Sequence, residues 1–132
     1  GELQRNQVVL QMDLALDLPM VVGDRVQLQQ VVMNLILNGV EAMRTVAEHE
    51  RNLLIRTERG EGDEVRVALQ DSGIGLDAKT QEQIFDAFYT TKPGGLGMGL
   101  AISRSIVENH GGRLWAVPNK GPGSTFRFTL HR

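Results

Sequence analysis

Three groups of residues in this chain have the types and spacing that chemistry uses. Asn34 and Asn38 stand four residues apart in a stretch of helical periodicity, with Glu41 on the same side. At about 100° per residue they project together, at the rim of the apolar stripe rather than in open solvent. An amide oxygen is a good neutral ligand for Mg2+, a hard cation that keeps several waters while bridging substrate phosphates. The same amides could instead hydrogen-bond a neighbouring loop. Asp71 ends a predicted strand ahead of Ser72-Gly73-Ile74-Gly75. A buried carboxylate there would accept a hydrogen bond from an exocyclic amine and discriminate against rings lacking that donor. Gly73 and Gly75 would let backbone pass close to a flat ring. An Asx-type turn explains the same residues without a ligand. Finally, Gly95-Leu96-Gly97-Met98-Gly99 runs into a helix at Leu100. A helix N-terminus offers unpaired N–H groups and a partial positive charge to a phosphate. Lys92, just upstream, would add a cation. The competing explanation is a flexible glycine loop with a solvated lysine.

These residues need elements to position them. Leu10, Met12, Leu14, Leu16 and Leu18 alternate with mainly polar neighbours, which predicts a strand over 10–18 with one buried face. Asp24 can cap a helix, with Gln27 as its capping-box partner. Leu28, Val31, Val32, Leu35, Gly39, Ala42, Met43 and Val46 then recur at helical spacing to about His49. Strands over 52–58 and 64–70 flank Gly60-Glu61-Gly62-Asp63, a hairpin signature. A short helix is predicted around 79–88, then a Gly/Pro/Thr-rich loop from Thr90 to Met98. A helix over 99–110 ends at Gly111-Gly112, and strands near 114–117 and 125–130 close the chain. In the last of these, Phe126, Phe128 and Leu130 share one face. The order β-α-β-β-α-loop-α-β-β predicts a two-layer α/β sandwich, a mixed and largely antiparallel sheet with helices packed on one face. Regular βαβ alternation, which a doubly wound sheet needs, is absent.

Composition excludes several classes. With 132 residues the chain fits one domain spanning 1–132. Basic and acidic residues number 14 and 16, a net charge of −2 that argues against a nucleic-acid-binding module. There is no cysteine, so disulfides, zinc–thiolate sites and cysteine nucleophiles are ruled out. No apolar run approaches the ~18 residues of a membrane span. The chain starts on Gly1 without a leader and reads as a piece excised from a longer protein. Of its 15 glycines, ten lie between Gly73 and Gly123, where backbone must turn tightly or approach a ligand. Known phosphate loops fail on these glycines. A dinucleotide fingerprint starting at Gly95 or Gly97 meets Leu100 or Ile102 where glycine is required. No glycine precedes Lys-Ser or Lys-Thr, and His49-Glu50 lacks the second histidine of a metalloprotease.

Together the segments resemble the ATP-binding catalytic domain of sensor histidine kinases, within the superfamily shared with DNA gyrase, heat-shock chaperones and mismatch-repair ATPases. The N box resembles 29–39, which contains Asn34 and Asn38. The first glycine box resembles 71–76, the F box 84–92 from Ile84 to Lys92, and the second glycine box 95–100. The last resembles Gly121-Pro122-Gly123-Ser124-Thr125-Phe126. The Thr-Thr-Lys-Pro-Gly-Gly stretch is most similar to kinases of the nitrogen-regulation and oxygen-sensor type. The resemblance implies that Asp71 binds the adenine amino group of ATP, with Gly73, Gly75 and Thr125 assisting. It implies that Asn38 ligates Mg2+ with the support of Asn34. Thr90 to Met98 would be a mobile lid over the phosphates. Within and beside it, Thr91, Lys92, Gly95, Leu96, Gly97, Met98, Gly99 and Leu100 would contact ATP, and Phe85 and Phe88 would anchor its hinge. Asn34, Asn38 and Lys92 would carry the catalysis. Many relatives have a basic residue where this chain has Glu41, which turns attention to Lys92 or Arg44. The arginine often found after the F box is Thr90 here, so reliance falls on Lys92.

The resemblance leaves three functions in play. Gyrase-like and chaperone members place a glutamate, the general base for water, where this chain has Asn34. An amide cannot take that proton, which favours holding ATP for another nucleophile. The implied activity is histidine protein kinase in a two-component phosphorelay. The γ-phosphoryl group would go to a histidine on a separate dimerisation domain of the same protein, and from there to a response regulator. His49, His110 and His131 do not have the acidic-flanked helical context of that histidine. The implied location is cytoplasmic, with no direct membrane contact from this part of the protein. An ATP hydrolase of the same superfamily and a degenerate nucleotide-binding module are the alternatives.

Overall fold

The structure is a computed structural model, and it describes residues 8–15, 18, 23–44, 50–75, 81, 83–85 and 99–131. Its elements are β1 (Val8–Asp13), α1 (Arg25–Met43), β2 (Arg51–Arg59), β3 (Val65–Asp71), α2 (Gly99–Asn109), β4 (Leu114–Pro118) and β5 (Ser124–Leu130). The strands form one five-stranded sheet in the order β1-β2-β3-β5-β4. β1 and β2 run parallel and every other pair is antiparallel. Both helices lie on one face, so the expected two-layer sandwich with a mixed sheet is what forms.

The core lies between the layers. Val31 and Leu35 of α1 and Ile106 and Val107 of α2 pack against Leu69, Leu114, Phe126, Phe128 and Leu130. Phe126 and Phe128 are each only 2% exposed, as their shared parity in β5 predicts. Ile84 joins this core, and Phe85 meets Phe126 edge-to-face at 6.1 Å. The β2–β3 hairpin closes over Gly60–Asp63, with Gly62 at φ +60°, a conformation only glycine adopts without strain. At the end of α2, Gly111 at φ +79° donates to Glu108 O and Gly112 to Val107 O, the paired bonds of a Schellman cap.

β1 departs from expectation. It stops at Asp13, and its even residues are not buried: Leu10 is 37% exposed and Met12 62%. They lie in register with Leu53 and Ile55, on the helix side of the sheet. The helices, however, pack over β2 to β5, so β1 overhangs as an edge. A period of two sets which face a side chain takes, but burial also needs something opposite. The predicted helices over 79–88 and beyond Arg44 lie mostly outside the described residues.

The two helices run antiparallel and are tied at both ends. Asp24 caps α1 by accepting from the Gln27 N–H at 3.1 Å. The reciprocal half of the expected capping box is replaced by a tertiary contact, in which the Asp24 N–H donates to His110 Nε2 at 3.0 Å. His110 Nδ1 lies 2.7 Å from Ile106 O, so the imidazole is the neutral tautomer with its proton on Nδ1. His110 is therefore a structural strap between the start of α1 and the end of α2. Replacing it with alanine removes an acceptor from a helix N-terminus. His110→Ala is expected to lower stability by about 1–2 kcal/mol, read as a lower urea midpoint at unchanged m-value.

Candidate nucleotide site

Asp71 is the last residue of β3 and is 2% exposed. Its Oδ1 accepts from Gly73 N at 2.9 Å and Ser124 N at 3.3 Å, and its Oδ2 accepts from Ser124 Oγ at 3.2 Å. A carboxylate offers about four lone-pair directions. Among the described residues three are taken, and one on Oδ2 has no donor. An Asx turn and a ligand-binding carboxylate both fit Asp71 by sequence. The Gly73 contact is the turn, and the free direction on Oδ2 is what a ligand amine would need.

Close backbone approach shapes this corner. A Cβ on Gly123, which has φ +94°, would collide with the Asp71 carbonyl oxygen. Gly39 of α1 leaves its nearest helix face against Leu53 and Asp71, where an added Cβ would stand 3.5 Å from Asp71 Cβ. Gly73 sits against α1. A Cβ there would come within 2.5 Å of Ala42 O, the same carbonyl that accepts from Ile74 N at 3.1 Å. Gly75 takes φ +79° next to Gly123. Glycines read as space for a ligand thus also make the room that lets α1, β3 and the β4–β5 turn converge.

Thr125 changes sides relative to expectation. β5 alternates, and its helix-facing set is Ser124, Phe126, Phe128 and Leu130, so Ser124 is the residue beside Asp71. Thr125 lies on the opposite sheet face, where its hydroxyl donates to Asn119 Oδ1 at 2.6 Å. Asn119 in turn donates to the Asp71 carbonyl at 2.9 Å and to Pro122 O at 3.1 Å. Neither Ser124 nor Asn119 stood out as a site residue in the sequence. The parity shared with Phe126 was the signal for Ser124; nothing local marks Asn119.

The two asparagines divide. Asn34 Nδ2 donates to Ser103 Oγ at 3.1 Å and to Gly99 O at 3.3 Å, which fixes the amide orientation and ties α1 to the first turns of α2. Ser103 is fully buried and was not singled out by the sequence. Asn38, half-buried and next to Gly39, has no side-chain partner among the described residues. Its amide is available to a ligand. Glu41 is half-buried on the same side and pairs with Arg44 at 3.3 Å, so Arg44 is engaged locally. Gly99 opens α2, and Leu100 packs against the core. Thr91, Lys92, Gly95, Leu96, Gly97 and Met98, with Phe88 and Thr90, lie outside the described residues. Among the described residues no cluster of three or more His, Cys, Asp or Glu side chains could hold a metal, and no helix is long and apolar enough to cross a membrane. A Mg2+ ion held by an amide and ligand phosphates needs no such cluster.

Burial raises the Asp71 pKa above the usual carboxylate value, against the opposing pull of the Gly73 and Ser124 hydrogen bonds. The folded state therefore holds the proton to higher pH than the unfolded state. The charged carboxylate works against folding, and that cost is relieved as pH falls through the raised value. Asparagine can keep its oxygen toward the Gly73 and Ser124 N–H groups while its amino group faces Ser124 Oγ. Asp71→Asn is thus expected to fold, and to gain stability over the wild type as pH rises from about 4 to 7. Urea titrations of both proteins across that range check the sign.

Residues 23–132 match the family described as histidine kinase-, DNA gyrase B-, and HSP90-like ATPase. The chain is 43% identical over 127 residues to the sensor protein FixL of Bradyrhizobium diazoefficiens, covering 96% of this chain and 24% of FixL. It is 38% identical over 130 residues to the sensor protein TdiS of Thauera aromatica, covering 98% and 24%. It therefore spans about a quarter of the length of these curated relatives. The catalytic domain of histidine kinase ThkA superposes with a TM-score of 0.83 at 30% identity, over 98% of this chain and 82% of that one. ThkA in complex with the response regulator protein TrrA superposes with a TM-score of 0.79 at 28% identity, over 98% and 36%. The chain belongs to the histidine kinase-, DNA gyrase B- and HSP90-like ATPase family and has the fold of a histidine kinase catalytic domain.

Proposed function

We propose that residues 1–132 form the single ATP-binding catalytic domain of a sensor histidine kinase in the cytoplasm. It would bind Mg-ATP and pass the γ-phosphoryl group to a histidine on a separate dimerisation domain of the same protein. In that step the bond from the γ-phosphorus to the bridging oxygen breaks and a bond to an imidazole nitrogen forms. ADP leaves and the imidazole loses its proton. A response regulator is the downstream acceptor. The complex of ThkA with TrrA supports this last step by similarity alone.

The positions of Asp71, Ser124 and Asn38 support a part for each of them. Asp71 supplies the one free acceptor direction on Oδ2 to an adenine amino group, and a base without that donor would leave a buried carboxylate unsatisfied. Ser124 is the hydroxyl on this side, in place of Thr125. Asn38 would be the Mg2+ ligand from the chain, the ion itself neutralising charge on the phosphates. Lys92 and the backbone of the second glycine box would hold the phosphates, together with the start of α2.

The observation that carries the kinase reading over hydrolysis is Asn34. Its position is where a hydrolase of this superfamily would need a general base. It is an amide, and its N–H groups are committed to Gly99 and Ser103. It positions α2 and cannot take a proton from water. Incubation with labelled Mg-ATP and a supplied dimerisation-helix polypeptide bearing the histidine should place label on that polypeptide, with little free phosphate. Rapid phosphate release that Asn34→Ala abolishes would sink the kinase assignment. Asp71→Asn should weaken ATP binding by about 1–3 kcal/mol in calorimetry, since it exchanges a charged acceptor for an amide donor. Unchanged affinity would remove Asp71 from the adenine site.

A further inference from the structure

The sheet face opposite the helices carries a groove that nothing in the nucleotide reading uses. Its central rung is Arg56, Ala68, Arg127 and Trp115, paired in register across β2, β3, β5 and β4. At about 4.8 Å between strands, this rung is roughly 14 Å wide. Ala68 is the small residue in the middle of the rung, and the depression around it has a volume of about 620 Å³. The next rung places Gln70 beside Thr125, adding amide and hydroxyl groups to the floor.

The groove is positive in a chain whose net charge is −2. Four arginines and two glutamates line it, with His131 at one end. Arg66 is neutralised by Glu64 at 2.6 Å, and Arg56 by Asp13 at 3.2 Å. That leaves Arg113 and Arg127, both exposed and without an acidic partner among the described residues, against the single carboxylate of Glu58, which lies opposite Arg66 on β2. The Arg113 guanidinium lies 4.8 Å from the centre of the half-buried Trp115 ring, and Arg127 is the direct cross-strand neighbour of Trp115. Stacking on an aromatic face holds a guanidinium with its N–H fork presented outward, the arrangement that takes a carboxylate in two parallel hydrogen bonds. A lone aromatic in a chain of net negative charge is a poor platform for a polyphosphate strand, which needs several stacking rings and a basic excess.

We propose that this open sheet face is a docking surface for an extended acidic polypeptide segment of a partner protein. Carboxylates of the segment would pair with Arg127 and Arg113 on either side of Trp115, and a further side chain would sit over Ala68, between Arg56 and Arg127. The surface is separate from the nucleotide corner, which lies on the helix side of the sheet.

The only tryptophan of the chain lies in this groove and reports on its occupancy. Titration with a tryptophan-free decapeptide of alternating glutamate and serine should give a saturable change in Trp115 emission. Affinity should fall as salt rises from about 0.05 to 0.5 M. Arg127→Glu, and the milder Arg127→Gln with unchanged circular dichroism, should each weaken it about tenfold or more. Arg25→Glu makes the same charge change on the helix side, at the start of α1, and should leave the affinity unchanged. Three results would overturn the proposal. They are no saturable change up to about 1 mM peptide, equal weakening by Arg25→Glu and Arg127→Glu, or tighter binding of a ten-residue oligothymidylate than of the peptide.

Discussion

Everything around the candidate site is organised by one buried carboxylate. Taking Asp71 out of water is unfavourable unless its oxygens find donors, and three of its four acceptor directions are met by Gly73 and Ser124. To bring those donors in, the β4–β5 turn must press against the end of β3, and Gly123 is the residue that permits it. Asn119 then holds the turn by donating to the Asp71 carbonyl. On the other side, Gly39 lets α1 lie against the same carboxylate, one residue after Asn38. The close approach of α1 to the end of β3 at this point depends on a glycine.

The helix layer gives this corner its second boundary. Antiparallel packing puts the start of α2 beside the middle of α1, where Asn34 bridges to Gly99 and the buried Ser103. At the far end His110 receives the Asp24 N–H, so the pair is tied at both ends by polar contacts across an apolar seam. Asn34 is thereby a structural strut. That role explains why an amide serves here: it donates twice to protein, which a carboxylate at the same place could not do. The sheet separates two surfaces. Its helix side carries the candidate nucleotide site, and its open side carries the arginine and tryptophan groove.

Much of this was legible along the chain, because the strongest signals are local. Alternation in β5 identified Phe126, Phe128 and Leu130 as core, glycine and aspartate punctuation located the β2–β3 hairpin, and Gly111-Gly112 ended α2 where the Schellman bonds form. Asp24 was recognisable as a cap because its role is satisfied within three residues. The departures share one cause. Leu10 and Met12 alternate as buried residues do, yet lie on an edge strand that neither helix covers. Gln27 stands at capping-box spacing from Asp24, but the Asp24 N–H has its partner 86 residues away.

By itself, then, the sequence determined the order of the described elements and the face each side chain takes. These depend on periodicity, backbone stereochemistry and capping, which act over a few residues. Tertiary structure alone decided that Asp71 is what the Ser124 hydroxyl meets, and that Asn34 is a strut while Asn38 has no side-chain partner among the described residues. It also decided that Arg127 and Trp115 meet on an uncovered face. Those outcomes turn on which strands pair, in which register, and where a helix lies. Each is set by contacts between residues far apart in the chain, whose partners no local pattern names.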